Sequence, residues 1–292
     1  MLLCPFVLYF GSAWGQFDSI VTLLSLLSIV RLGRGNLRSS AILLAFAIAF
    51  KPTALPIFPV VIIYLLGKSS RQAFIYSLWF SISLILFCAL PFILLSWDPT
   101  PILQGWNAHF IVGGAMSFMT FFELLMDTYQ LPGDWWLLGF AWIPAMGIAI
   151  YTLRRGIFGF TDLVRKSLGM ILVFYLTRTW LSEPNIMLLL PLALILTSIG
   201  KLNSLAFYAV WIIPLIFTIF NSSPPQLLSI NFPQIMERII ILQEEFRSFR
   251  LVVRIALIIP WQVVGWWIVI TCFKSAPSQA DKVSKHMLAS QA

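Results

Sequence analysis

The sequence predicts an all-α integral membrane protein, with about ten transmembrane or re-entrant helices, several of them short, around an outward-facing polar cavity. Three observations predict it. First, of 292 residues 60% are hydrophobic and 10% charged, with a mean hydropathy of +0.92. A water-soluble domain carries about 25% charged residues, and a chain of this size cannot hide so much apolar surface in one core. Second, long apolar runs alternate with clusters of cations. Third, several runs are shorter than a bilayer is thick and meet at turns that hold ionisable groups. The hydrophobicity excludes a disordered chain. Cys4, Cys88 and Cys272 are scattered through apolar runs and make neither a disulfide framework nor a CxxC metal site.

The apolar runs fall at roughly 2–13, 19–31, 39–50, 53–67, 73–96, 136–153, 167–180, 186–200, 203–220 and 255–273. Their connections alternate between two sides. One set carries thirteen cations, from Arg31 to Lys285, against Asp162 and Asp281; the other carries six cations against nine acids. The positive-inside rule puts the first set, and both termini, in the cytoplasm. Residues 1–273 read as one polytopic domain, and 274–292 as a disordered cytoplasmic tail rich in Ser, Ala, Gln and Lys.

Two external stretches are long, 97–135 and 221–250. In the first, Phe118–Tyr129 has apolar residues at helical spacing and reads as an interfacial helix. In the second, an amphipathic helix is expected from about Pro233. The runs 39–50 and 167–180 span only about 18–21 Å at 1.5 Å per residue, against a hydrocarbon core of about 30 Å. They end at Lys51-Pro52 and at Arg178-Thr-Trp-Leu-Ser-Glu183, both on the external side. Polar backbone and ionisable groups at that depth need protein or trapped water around them, which is the basis for the expected cavity.

Three clusters carry chemistry. In Gly11-Ser-Ala-Trp-Gly-Gln-Phe-Asp18-Ser19, Asp18 fits a helix cap for the run that follows and equally a residue facing a ligand. Trp14 fits an interfacial anchor or a face on which a sugar stacks, with Gln16 beside it. Lys51 fits a snorkelling lysine or a phosphate ligand; Pro52 stops the helix before it. Arg178 and Glu183, with Asn185 following, fit an ion pair that holds the turn, or a ligand site in which Arg178 meets a phosphate bidentately. His109, in Trp106-Asn-Ala-His-Phe110, is the one histidine outside the tail. It reads as a polar loop residue or a further substrate contact. HExxH, P-loop, GxSxG and dinucleotide fingerprints do not occur. The cations form loops rather than a nucleic-acid stripe.

Together, Trp14-Gly-Gln-Phe-Asp18-Ser19, the segment around Lys51-Pro52 and the Arg178…Ser182-Glu183-Pro-Asn185 turn resemble polytopic GT-C type glycosyltransferases. The resemblance covers most of residues 1–200 and is weak beyond. It implies an inverting transfer of a hexose, mannose first, from a polyprenyl- or dolichyl-phosphate sugar, on the non-cytoplasmic face. The implied acceptor is lipid-linked or a glycan, and the implied surroundings are membrane lipids, with no nucleic acid. Trp14, Gln16 and Asp18 would line the sugar pocket, with Glu183 and Asn185 nearby. Lys51, Arg178 and His109 would stabilise the departing phosphate.

In that family a carboxylate in the first external loop is the base or positions a metal. A divalent metal is therefore the one cofactor implied. This sequence has no acid before Asp18. The reading is of a chain incomplete at its N-terminus, or one in which Asp18 is the catalytic carboxylate. The competing functions are a transporter or lipid flippase, which also uses broken helices, and a non-catalytic subunit that keeps the scaffold. The expected location is the plasma membrane in a prokaryote and the endoplasmic reticulum in a eukaryote.

Overall fold

The computed structural model describes residues 4–98, 100, 114–121, 140–154, 156–221 and 232–274. Apart from one two-residue parallel bridge, the regular structure among them is helical. The first run is not a full span. It is a short helix α1, Pro5–Leu8, that widens into a π turn over Tyr9–Ala13. Then come α2 (Asp18–Gly33), α3 (Leu37–Phe50), a 3-10 turn over Pro52–Ala54, α4 (Ile57–Leu66) and α5 (Ser70–Leu95). After the bridge strand β1 (Gly114–Ala115) come α6 (Trp142–Leu153), α7 (Gly159–Thr177) and β2 (Trp180–Leu181). A 3-10 turn over Glu183–Leu188 leads to α8 (Leu189–Ser198), α9 (Ser204–Asn221), α10 (Gln234–Glu245) and α11 (Arg247–Phe273).

Among the described residues, three helices are long and apolar enough to cross a membrane: α5, α9 and α11, with 26, 18 and 27 residues. At 1.5 Å per residue they reach about 39, 27 and 40 Å. Large apolar side chains such as Phe74, Ile85 and Ile93 stand exposed along α5. This is the exterior of a helix whose surroundings are apolar. The amphipathic α10 begins one residue after the expected Pro233.

One sequence expectation is corrected. The run at 167–180 was read as a short span, but α7 starts at Gly159 and has 19 residues. Asp162, Arg165 and Lys166 looked like a loop. They are instead the first turns of the helix: Asp162 takes the Phe158 N–H at 3.1 Å and pairs with Arg165. An acid in the first turn suits the helix dipole.

Helix α7 is the centre of the molecule. It is buried almost continuously from Leu163 to Leu176, and α2, α4, α6, α8 and α11 all pack on it. Two glycines let α11 come close. A Cβ on Gly169 would sit 2.9 Å from Cys272, and one on Gly265 would sit 2.6 Å from Leu176. The crossed order of these contacts makes the two helices antiparallel. Small residues at a helix–helix seam are how membrane bundles gain close packing where the surrounding lipid is as apolar as the helices. Helices α2 and α3 use the same device, with Ala41, Ala45 and Ala47 buried on α3, while the Ser28 hydroxyl of α2 donates to the Ser40 carbonyl at 2.8 Å.

The packing also fixes where the polar groups gather. Gly33, at the end of α2, lies against Phe160 at the start of α7. The opposite ends of these helices, Asp18 and Arg178, therefore share the other end of the bundle.

Candidate functional site

Two polar groups occupy that end. The first is closed. Asp18 is 3% exposed and accepts from the Lys51 ammonium with both oxygens, at 2.8 and 2.9 Å. Lys51 is held there because Pro52 keeps it extended, at φ −156° and ψ 121°, and ends α3. The pair places an acid at the N-terminus of α2 and a cation at the C-terminus of α3, which suits both dipoles. Of the two readings of Asp18, the cap is not what forms: Phe17 is the cap residue and no side chain caps it. Behind the pair, the Tyr175 hydroxyl donates to the Asn185 carbonyl at 3.0 Å and also meets Thr53. Asn185 is 3% exposed, and its Oδ1 is buried without a partner among the described residues.

The second group is open. A cavity of about 400 Å³ lies at this end of the bundle, with Phe10, Trp14 and Trp180 as its aromatic walls. Its polar lining is Gln16, Ser182, Glu183, Asn221 and Arg254. The π turn and the left-handed Gly15, at φ +66°, fold Trp14 and Gln16 into place, and the Gln16 N–H donates back to the Phe10 carbonyl at 3.0 Å. A π turn is a rare element that tends to occur where a helix is distorted for a site. The bridge β1–β2 brings Ala115 to the wall, with the Met116 N–H bonded to the Leu181 carbonyl at 3.0 Å.

Glu183 is the buried acid of the cavity. Asn221 Nδ2 donates to its Oε1 at 2.6 Å. Burial pushes the carboxyl above the ordinary carboxylate range, while a bond from its own backbone N–H, the Asn221 bond and the Arg254 charge pull the other way. The far wall is fastened by Arg250. Its Nε donates to the Phe220 carbonyl and its Nη2 to the Asn221 carbonyl, both at 2.8 Å. A guanidinium on the last carbonyls of α9 satisfies groups that a helix end leaves open. That clasp sets the positions of Asn221 and, one helical turn further along α11, of Arg254.

The sequence-predicted residues thus divide. Trp14, Gln16 and Glu183 line the cavity. Asp18 and Lys51 are paired together. Arg178 caps the C-terminus of α7, half-buried, its guanidinium 5.1 Å from the Phe174 ring centre, and burial holds its pKa down. The pair of Arg178 with Glu183 does not form: among the described residues the ion pairs are Lys51–Asp18 and Arg165–Asp162. His109, most of the helix expected at 118–129 and the tail after Lys274 lie outside the described residues.

Sequence reasoning missed Asn221, Arg254 and Trp180 as cavity residues. One signal was present. Arg247, Arg250 and Arg254 are spaced three and four apart at the start of a long apolar run, so they share one helix face, and a cation inside such a run is a site candidate by default.

Among the described residues, no group of three or more His, Cys, Asp or Glu comes together to hold a metal. The two buried acids already have a cation and an amide as partners, so the donor set among the described residues does not fit a divalent cation. Comparison with protein-family models, with curated proteins and with solved structures finds no match.

Proposed function

We propose that this protein is a membrane glycosyltransferase that moves a hexose, mannose first, from a polyprenyl- or dolichyl-phosphate donor to a lipid-linked or glycan acceptor. The transfer takes place on the non-cytoplasmic face and inverts the anomeric carbon. One observation carries the reading. A cavity with two tryptophans, three neutral polar side chains, an acid and an arginine opens at the end of a bundle whose long helices are otherwise apolar. Aromatic faces suit the C–H faces of a sugar ring, and a few placed polar groups fix its orientation. Trp14 and Trp180 supply the faces; Gln16, Ser182 and Asn221 meet hydroxyls.

The leaving group is the lipid phosphate. Arg254, which lines the cavity, and Arg178, which ends α7 at the same end of the bundle, are the cations assigned to it. Guanidinium forks match phosphate oxygens and stabilise the charge that grows as the sugar departs. The acceptor oxygen attacks the anomeric carbon, and the bond from that carbon to the phosphate oxygen breaks with its electron pair going to the phosphate.

The test is transfer in proteoliposomes supplied with polyprenyl-phosphate mannose and, in parallel, the glucose counterpart. Arg178→Ala and Trp14→Ala should each lower transfer at least tenfold, the order expected from losing one charge-assisted contact or one stacked face. Absence of transfer from either donor by the wild-type chain, together with substrate flux across sealed vesicles, would replace this reading with a transporter.

A further inference from the structure

We infer that Glu183, rather than Asp18, is the carboxylate that takes the acceptor's proton. This rests on the transferase reading above and names the base within that same site. The argument is geometric. A general base must present a free oxygen to the cavity in which the acceptor sits. Asp18 does not line the cavity, and both its oxygens are occupied by Lys51 at 2.8 and 2.9 Å. Glu183 lines the cavity, and its one hydrogen bond to a side chain is through Oε1, from Asn221. That bond and one from its own backbone N–H anchor the carboxyl, and a carboxylate, with about four lone-pair sites, can still accept from a substrate hydroxyl in the cavity. The short 3-10 turn that starts at Glu183 packs against α2, α8 and α9, so the base sits on a rigid element.

The charged and titratable groups around Glu183 suit the role. From α11 comes Arg254, whose charge favours the ionised carboxylate. From the first segment comes Tyr9, near enough to feel the carboxylate's charge. From α9 comes the neutral Asn221. Asp18 on α2 is neutralised by Lys51, and Arg178, at the end of α7, lies over the Phe174 ring. The buried setting, which raises the carboxyl's pKa, makes it a better proton acceptor than an exposed glutamate. In the step, the acceptor O–H proton passes to the Glu183 carboxylate as the acceptor oxygen bonds to the anomeric carbon. The phosphate leaves with the electrons of the broken C–O bond. Proton release from Glu183 to water resets the site.

The experiment uses the full chain in proteoliposomes, with polyprenyl-phosphate mannose or glucose as donor and octyl mannoside as acceptor. Glu183→Gln keeps the Asn221 bond and should lose at least 100-fold in kcat with donor KM within about threefold of wild type, the range for removing a general base. Glu183→Asp should recover part of the rate. Wild-type kcat should rise with pH to a plateau as Glu183 ionises, and the residual rate of Glu183→Gln should lack that rise. Thermal melting of each variant separates lost folding from lost chemistry. A Glu183→Gln variant that transfers at the wild-type rate, or that keeps the wild-type pH profile at a lower rate, overturns the assignment while leaving the transferase reading intact. A wild-type chain silent with both donors overturns the reading and the assignment together.

Discussion

The two buried carboxylates at this end of the bundle are alike in burial and unlike in company. Asp18 is 3% exposed and Glu183 5%. Asp18 meets an ammonium with both oxygens; Glu183 meets a neutral amide with one and an open cavity beyond it. A buried charge needs a partner or it gives up its proton. Asp18 has that partner, and its position is structural: it locks the start of α2 to the end of α3. Glu183 has neutral donors, the Asn221 amide and its own backbone N–H, and no ion pair among the described residues. On the proposed reading, the partner, more than the burial, separates the acid that holds the fold from the acid assigned to chemistry.

The sharpest way to break this comparison is to remove the partner from the closed pair. Lys51→Met leaves Asp18 buried opposite an apolar side chain. The expected loss is about 2–3 kcal/mol, read by denaturant unfolding in mixed micelles; a fully buried pair loses more when one member is removed, but the Lys51 side chain is 30% exposed. Asp18→Asn with Lys51→Met should recover most of that loss, since both charges are then gone. Losses that simply add would show that the two side chains are not coupled.

A middle effect is expected at the open acid. Asn221→Ala removes the donor to Glu183 Oε1 and leaves a buried acceptor unsatisfied, for a loss of about 1–3 kcal/mol. Arg250→Lys comes next, at about 1 kcal/mol. A lysine is a point charge and cannot hold the Phe220 and Asn221 carbonyls in one fork. It should also lower transfer, because the wall that carries Asn221 and Arg254 is then set less firmly. If melting falls but transfer does not, Arg250 fastens the helices without positioning the site.

Much of this arrangement was legible in the sequence, for identifiable reasons. Pro52 announced the break after Lys51 because proline removes a donor and restricts its predecessor. The amphipathic helix near Pro233 showed in its periodicity. Trp14, Gln16 and Glu183 stood out as polar or aromatic groups at the ends of apolar runs. The start of α7 did not show, since its charged first turn has the composition of a loop. The partnership of Asp18 with Lys51, 33 residues apart, was not legible either. It depends on two helices lying antiparallel with one particular offset, which no local pattern encodes. Arg254 lies just outside the apolar run at 255–273, but α11 begins at Arg247, so an eight-residue difference in the helix start leaves a cavity residue in a loop.

The smallest expected effect separates the two acids most cleanly, because it has a sign. Burial holds the Glu183 carboxyl above its ordinary value of 4.5, so the folded chain binds that proton more tightly than the unfolded chain does. The stability contributed by Glu183 is then fully present below the unfolded value and is lost as pH rises through the raised folded value. Glutamine keeps the shape and the Asn221 bond with no proton to lose. Glu183→Gln should therefore match wild type at the acid end of that window and melt slightly higher at the alkaline end. Asp18→Asn should move the other way at neutral pH, because it strips Lys51 of its counter-charge and adds nothing in return. Opposite signs for two substitutions of the same chemical kind would mean that the fold carries Glu183 ionised at a loss, as a site residue is expected to be carried. A Glu183→Gln chain less stable than wild type at neutral pH would instead place Glu183 beside Asp18, as a second charge the bundle depends on.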